Sequence, residues 1–296
     1  MKKILPLAFV FILINCSSLK KNNVVAYDYT NYYKEVSKAD SLFVIKEYKK
    51  SKELFETIFS KVEPINTFRY SEYYLYLLSK HYTGDSITKK EIENLIVKYG
   101  KEKSFFKKEN VISKYYNRYV SDSTYHILRT KYVNSINLDL RNDIANMVEE
   151  DQMARTLYEG EEGIKKMKEI DSINQNKIKL LFDKGIYPSK KLVGNLFFDD
   201  VIPNLELLLL HTPDKERFDY YLPKLKKFIR EGKTNPYIYC MLVDQYQLYN
   251  DKPQLYGTYN VHELDKKDFA FYNKNRQKLN IGMPSMEFDF WWNSNP

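Results

Sequence analysis

The sequence predicts an all-α protein that has helical hairpins in its N-terminal half and a helical domain with an irregular loop or small hairpin in its C-terminal half. Apolar residues recur at intervals of three and four along most of the 296 residues, as in amphipathic helices. Only nine glycines interrupt the chain. After residue 137, five helical patterns follow one another. A hydrophobic content of 43% is enough to bury a core.

The first sixteen residues, MKKILPLAFVFILINC, have the pattern of an export signal. Lys2 and Lys3 precede an apolar run of about ten residues, which is too short to span a bilayer of about 30 Å. We therefore expect residues 1–15 to be a cleaved signal peptide. The run ends in Leu-Ile-Asn-Cys, which resembles the lipobox of bacterial lipoproteins. That resemblance implies a palmitate-bearing Cys16 at the mature N-terminus; the alternative is an ordinary secretory signal followed by a chance cysteine.

Residues 16–28 then form a polar, lipidated tether, and the membrane is the first expected partner. Ser17 directly after the cysteine is not acidic, which favours the periplasmic face of the outer membrane over the cell surface. The only other cysteine is Cys240, so a lipidated chain has no intramolecular disulfide. The 47 basic and 39 acidic residues are spread along the chain, and no nucleic-acid partner is expected.

Residues 29–136 are predicted to form a repeat-like helical unit. Two apolar stripes flank a link near Glu47, which indicates a pair of amphipathic helices. The stretch ADSLFVIKEYKKSKELFETIF resembles a tetratricopeptide repeat in its small and aromatic positions, with Ser51 in place of the usual alanine. The alternative is a plain αα-hairpin.

The rest of this unit contains a helix start at Thr88. Glu91 lies three residues later, in the spacing of a capping box, and Gly100 is a helix stop. Residues 101–135 are predicted to be a helical connector, with a domain boundary between residues 120 and 137.

Residues 137–286 are predicted to form the C-terminal helical domain. One long helix is expected to end at Gly160 and a second at Gly185, and a buried apolar helix follows in NLELLLLH. Two further helices lie in DKERFDYYLPKLKKFIREG and PYIYCMLVDQYQLYN. After Asn250 the pattern changes to turns and short extended pieces, then to a helix around residues 267–279 and a loose tail at 287–296.

The C-terminal domain also resembles an uncharacterised family of bacterial domains of unknown function, over residues 147–286. The motifs are EEDQMAR, GIYPSKKLVG, LLLLHTPD, YYLPKLKKFIREG, YCMLVDQYQLYNDKPQLYGT and NRQKLNIGMPSM, in the family's order. The chain departs from the family at Gln245, where arginine is usual, and at Tyr259, where glutamine is usual. The resemblance supplies a grouping and no activity.

These motifs contain polar residues that we take as candidates for one ligand-binding cleft. They are Gln152, Arg155, His211, Asp244, Gln254, Tyr256 and Thr258. Each also has a structural explanation. Asp151 and Arg155 have the spacing of a surface ion pair, and His211 could interact with the end of its helix. Likewise, the turn at residues 253–258 could be purely structural.

Common catalytic templates are absent from the sequence. It has no Gly-x-Ser-x-Gly elbow, no P-loop and no His-Glu-x-x-His zinc motif. Cys240 lies in an apolar run and is expected to be a buried, inert thiol rather than a nucleophile. We therefore predict no metal site and no cofactor, and we assign no catalytic residue.

Two functional hypotheses follow. The leading one is an interaction or scaffolding protein of the cell envelope, with a protein partner. The alternative is a binder of a small polar or anionic ligand, or an enzyme of unknown reaction, that uses the C-terminal cleft.

Overall fold

The computed structural model describes residues 27–65, 72–108, 110–157, 160–195 and 201–294. The predicted all-α class is confirmed, since the described residues form helices and no β-strand. None of the described helices is both long and apolar enough to cross a membrane. The predicted signal peptide at 1–15 and Cys16 lie outside the described residues.

The N-terminal half is a succession of short helices. They are α1 (Tyr29–Val44), α2 (Tyr48–Phe59), α3 (Glu72–Tyr82), α4 (Lys89–Val97), α5 (Lys103–Lys108), α6 (Asn110–Tyr119) and α7 (Asp122–Val133). Helices α1 and α2 form the expected hairpin, and α3 packs on both. The Ser51 hydroxyl is buried between them and donates to the Ala39 carbonyl at 2.9 Å, so this polar residue is satisfied in a position where a repeat usually has alanine.

The expected capping box is present at the start of α4. The Thr88 side chain accepts from the Glu91 amide, and the Glu91 carboxylate accepts from the Thr88 amide at 2.8 Å. Gly100 lies three residues after the helix with a φ of +60°. Both ends of α4 were therefore readable from local sequence.

The C-terminal half begins with two long helices and continues with shorter ones. They are α8 (Leu138–Thr156), α9 (Gly160–Asp183), α10 (Lys190–Val193), α11 (Leu205–Leu210), α12 (Asp214–Glu216), a π-helical turn (Arg217–Tyr221), α13 (Leu222–Arg230) and α14 (Tyr237–Tyr249). The first helix ends at Thr156, and Gly160, which was expected to end it, begins α9 instead.

The end of the chain differs from the expectation. Beyond α14 lie turns, two short 3-10 helices (Val261–Glu263 and Lys266–Asp268) and α15 (Phe269–Leu279), so the irregular loop is present without a hairpin. The tail expected to be loose from residue 287 is helical instead: α16 spans Met286–Ser294. Asp289 on α16 is fully buried and pairs with Arg276 at 2.7 Å, and this long-range ion pair fixes the helix.

A large hydrophobic cluster joins the two halves of the chain. It contains Tyr32 and Leu77 from the N-terminal helices together with Ile229, Cys240 and Phe288 from the C-terminal ones. Helix α1 packs against α13 and α16. The division at residue 136 into two domains stays a prediction, and the core of the first segment is completed by the second.

A second cluster lies within the C-terminal half. It is formed by α8, α9, α11, α13 and α14, with Ile144, Ile178, Leu209, Leu225 and Leu242 at its centre. The buried leucines of α11 that the sequence indicated belong to it, since Leu205, Leu208 and Leu209 are buried. This cluster brings the ends of α8 and α11 beside the middle of α9.

Candidate functional site

A group of polar side chains lies where α8, α9 and α11 meet, and we call it the Asp151 cluster. It consists of Asp151, Gln152 and Arg155 on α8, Asp171 on α9, and His211 at the end of α11. The spacing of four residues places Asp151 and Arg155 on one edge of α8. The packing of the three helices brings the other two members to that edge.

Asp151 is the centre of the cluster and accepts hydrogen bonds from three side chains. Arg155 donates from Nη2 to Oδ1 at 3.0 Å and from Nε to Oδ2 at 3.3 Å, and Gln152 donates to Oδ2 at 2.7 Å. The His211 Nδ1 lies 2.9 Å from Oδ1. Arg155 also donates to Asp171 Oδ1 at 2.6 Å. The ion pair between Asp151 and Arg155 that the spacing indicated is present, but the Asp151 side chain is buried, so the pair is not confined to the surface.

The two carboxylates have opposite pKa shifts. Burial opposes the charge on Asp151, but the hydrogen bonds from His211, Arg155 and Gln152 outweigh it and lower the pKa from 3.8 to about 2. Burial raises the pKa of Asp171, and the nearby Asp151 charge adds to the rise, while Arg155 opposes it. Asp151 is therefore a permanent anion at neutral pH, and Asp171 is the more easily protonated of the two.

The contacts of Nδ1 indicate which nitrogen of His211 carries the proton. Nδ1 lies 2.9 Å from Asp151 Oδ1 and 3.2 Å from Arg155 Nε, and these two contacts require opposite roles of the nitrogen. We give the shorter contact precedence: ionised Asp151 can only accept, so Nδ1 carries the proton, and Arg155 Nε donates instead to Asp151 Oδ2 at 3.3 Å. The lone pair of the neutral ring is then on Nε2. The side chain is 22% exposed, and among the described residues Nε2 has no hydrogen-bond partner. His211 also ends α11, as the alternative for this residue expected, with its amide bonded to the Leu208 carbonyl at 3.2 Å.

Three members of the cluster offer atoms that metals bind. One ligand atom each from Asp151, Asp171 and His211 lies within 4.8 Å of the others. The Arg155 guanidinium already donates to both carboxylates. A divalent cation would therefore compete with an arginine for the same oxygens.

The other four predicted residues build a separate structure around Asp244, in the loop that follows α14. The buried Asp244 carboxylate accepts from the amides of Leu255, Tyr256 and Thr258 at 2.7 to 3.0 Å, and from the Thr258 hydroxyl at 2.8 Å. Gln254 exchanges two hydrogen bonds with the backbone of Tyr259. These contacts anchor the loop to α14.

Arg276 holds the same loop from its other side. It is buried and donates to the carbonyls of Tyr256 at 2.8 Å and Gly257 at 3.3 Å. Gly257 has a φ of +63°, and a Cβ there would lie 3.1 Å from atoms of Leu264 and Met286. A side chain at this position would therefore adopt an uncommon backbone conformation and press against these two side chains.

Arg217 lies between the two groups. Its Nη2 donates to the carbonyls of Leu210 and Thr212, on either side of His211, and to the Gln245 side chain at 2.9 Å. Gln245 is therefore the side chain on α14 that accepts from this arginine.

The structure thus divides the seven candidates into two hydrogen-bonded groups. Gln152, Arg155 and His211 lie in the Asp151 cluster. Asp244, Gln254, Tyr256 and Thr258 lie in the anchored loop, and within the described part of the chain no hydrogen bond joins the two groups. Their common role in binding a ligand stays a prediction. Asp171 was not predicted from the sequence, because the residues around it on α9 do not distinguish it from the other acidic residues of that helix.

Cys240 agrees with its expected role as an inert thiol. It is fully buried, and burial raises the pKa of the thiol well above its usual range. A thiol that stays protonated is a poor nucleophile.

Comparison of the chain with family models, with curated proteins and with solved structures found no match. The resemblance of residues 147–286 to an uncharacterised family, and that of the first hairpin to a tetratricopeptide repeat, stay predictions.

Proposed function

We propose that the protein is a lipid-anchored component of the cell envelope whose Asp151 cluster binds a small polar ligand that carries a hydroxyl or an amine. The observation that supports this most is the His211 ring: its Nδ1 lies beside the buried Asp151, and the side chain is 22% exposed, so Nε2 is the nitrogen left for a ligand. A lone pair in that position accepts a hydrogen from a ligand.

The charges of the cluster favour such a ligand over an anion. With His211 neutral, two carboxylates face one guanidinium, which leaves a formal charge of −1. An anion would have to displace Asp171 from Arg155, whereas a ligand hydroxyl or amine uses the Nε2 lone pair without disturbing that pairing. Of the two kinds of ligand that the sequence suggested, polar and anionic, we therefore retain the polar one.

The same geometry suits a proton transfer. A histidine whose Nδ1 is fixed by a buried aspartate is held in the tautomer in which Nε2 can act as a base. The ligand would then be one whose hydroxyl or amine loses its proton to His211 while Asp151 stabilises the imidazolium.

The tautomer can be tested directly by nuclear magnetic resonance of histidine labelled with ¹⁵N. We expect the neutral His211 ring to carry its proton on Nδ1, and Asp151→Asn to weaken that preference. A wild-type ring protonated mainly on Nε2 would contradict the proposed mechanism, because the outward nitrogen would then be a donor.

Ligand binding can be tested by thermal denaturation in the presence of glucose, N-acetylglucosamine, serine, ethanolamine, phosphate and citrate. At least one of the first four should raise the melting temperature of the wild type and have no effect on His211→Gln. His126→Gln is the matched control, since that histidine is exposed on α7. If only phosphate or citrate stabilised the protein, or if His211→Gln responded like the wild type, the proposal would be refuted.

The anchor is a separate part of the proposal and rests on the sequence MKKILPLAFVFILINC. Acylation of Cys16 would attach the helical part of the protein to the periplasmic face of the outer membrane. We propose no nucleic-acid partner. Wild-type protein should incorporate labelled palmitate and sediment with outer-membrane vesicles. A Cys16→Ser protein that still did both would contradict the anchor.

The scaffolding role is the second candidate, and one surface favours it. Met153 lies in the last turn of α8, and Leu157 lies one turn later at the C-terminal cap of that helix. Met153 is 47% exposed and Leu157 is 65% exposed. Adjacent exposed apolar side chains are typical of a protein-binding surface. If the protein has a partner there, Met153→Ser with Leu157→Ser should abolish its recovery after cross-linking in intact cells. Ile45→Ser, an exposed residue after α1, should not.

A further inference from the structure

A buried acid lies where the first helix contacts the last one. Asp40 on α1 is 1% exposed, and its Oδ1 atom has no hydrogen-bond partner in the described part of the chain. An ionised carboxylate in such a place is costly, because no donor replaces the water that it loses on folding. Buried polar groups in native proteins are nearly always paired, so this exception requires an explanation.

Asp40 lies on the side of α1 that packs on the end of the chain. Three residues earlier, the Ser37 hydroxyl donates to the Met283 carbonyl at 3.4 Å. Three residues later, the Phe43 ring lies 5.7 Å from the Trp291 ring in an edge-to-face contact. Residues three apart are neighbours on one side of a helix, so Asp40 lies between these two contacts. Any change in its charge is therefore felt where α1 meets α16.

The charged groups that act on Asp40 are both acids. Burial raises the pKa of Asp40 well above its usual range, and the charges of Glu72 on α3 and Asp289 on α16 add to the rise. Asp289 pairs with Arg276 at 2.7 Å, and Glu72 accepts from the Tyr32 hydroxyl at 2.7 Å. Helices α2 and α13 also pack on α1, and among the described residues neither supplies a charged side chain that acts on Asp40. Asp40 is thus held in its protonated form while these helices stay together.

We propose that the contact between α1 and α16 is a pH-sensitive latch, which is closed while Asp40 carries a proton and is released when Asp40 loses it. In the released state the carboxyl meets water, where it ionises and gives its proton to the solvent. Release therefore frees one proton, and a rise in pH favours it. Helix α16 follows α15 after a short link, so it can leave α1 without unfolding the helices before it.

The direction and size of the pH effect follow from the two states of this carboxyl. Below the ordinary pKa of an aspartic acid, about 3.9, Asp40 is protonated in both states and release does not depend on pH. Above that value, each pH unit raises the equilibrium constant for release about tenfold, until the pH reaches the raised pKa of the closed state. The latch is therefore tighter in acid than at neutral pH.

The test is hydrogen exchange of the α16 amides in the full-length protein, followed by mass spectrometry between pH 5 and 7 and corrected for the intrinsic exchange rate. In the wild type, the protection of α16 should fall about tenfold between pH 5 and pH 6. It should also be lower than the protection of α14, which contributes to both large clusters, because α16 opens while the rest of the fold stays closed.

Asp40→Asn is the decisive variant, because asparagine keeps the shape of the side chain and does not titrate. Its α16 protection should be independent of pH and at least tenfold higher than that of the wild type at pH 6. Asp40→Leu should show the same independence, which keeps the test valid if the core accommodates an amide poorly. Glu35→Gln is the matched control: it removes a partly exposed carboxylate from the same helix and should keep the wild-type dependence. His211→Gln should keep it as well, which separates this proposal from that for the Asp151 cluster.

Three results would each overturn the proposal. The first is an α16 protection that does not change between pH 5 and 7 in the wild type, as expected of a buried acid that only fills space. The second is an Asp40→Asn protein with the same pH dependence as the wild type. The third is equal protection of α16 and α14, because the whole fold would then open at once.

Discussion

Replacing Asp151 by asparagine tests how much the buried carboxylate stabilises the fold. The fall in the Asp151 pKa from 3.8 to about 2 corresponds to about 2.4 kcal/mol at neutral pH, because one pKa unit is worth about 1.4 kcal/mol. Asparagine keeps the shape but not the charge. We therefore expect Asp151→Asn to lower the free energy of unfolding by about 2 kcal/mol at pH 7.

The dependence on pH makes this prediction specific. A carboxyl whose pKa is lower in the folded state stabilises the fold above its unfolded pKa, and that stabilisation is lost as pH falls through its folded pKa. For Asp151 the contribution should fall to about 1.3 kcal/mol at pH 3 and vanish below about pH 2. The difference between wild type and variant should shrink in the same way.

The assay is urea denaturation followed by circular dichroism at pH 7, 5 and 3. Asp143→Asn is the matched control, since it removes an exposed carboxylate from the same helix and should change stability by less than about 0.5 kcal/mol. The reasoning would be refuted if Asp151→Asn were as stable as the wild type at pH 7, or if its deficit were equally large at pH 3.

Three further changes probe Glu206 and the anchored loop. Burial raises the pKa of Glu206 in the folded state to about 7, so the free energy of unfolding of the wild type should fall as the pH rises from 4.5 to about 7. Glu206→Gln does not titrate, and urea denaturation should show that it gains stability relative to the wild type over that interval. Gly257→Ala should lower the melting temperature more than Gly84→Ala, because both have positive φ but only Gly257 has atoms within 4 Å of a new Cβ; equal effects would contradict the packing argument. Thr258→Val should cost about 1 to 3 kcal/mol by removing a donor from buried Asp244, and a neutral result in the same denaturation would show that the hydroxyl is dispensable.

The sequence predicted those features that depend on neighbouring residues. The capping box of Thr88 and Glu91 and the hairpin of α1 and α2 follow from local spacing, and the structure confirms both. His211 was correctly placed at a helix end, because the apolar run before it has a helical pattern and a proline follows shortly after.

Features that depend on distant residues could not be predicted in this way. Helix α16 was expected to be a loose tail, because its short sequence has no clear apolar period. It is held instead by Phe288 in the large core and by Asp289 paired with Arg276. Asp171 joins the Asp151 cluster only because α9 packs on α8, and no motif marks it. Tertiary contacts in both cases override weak local signals.

The contrast between Asp151 and Asp244 explains why our ligand proposal is based on Asp151 rather than on Asp244. Asp244 accepts hydrogen bonds mainly from backbone amides, and Thr258 supplies the one side-chain donor. These hydrogen bonds fix the conformation of a loop. Asp151 accepts hydrogen bonds from three side chains, and one of them, His211, has a second ring nitrogen without a hydrogen-bond partner among the described residues. A carboxylate that orients a partly exposed histidine can alter what that histidine does to a ligand, whereas a carboxylate enclosed by amides can alter only the fold. Mutation should show the same division: a change at Asp244 should lower stability alone, and a change at Asp151 should also shift the tautomer of His211.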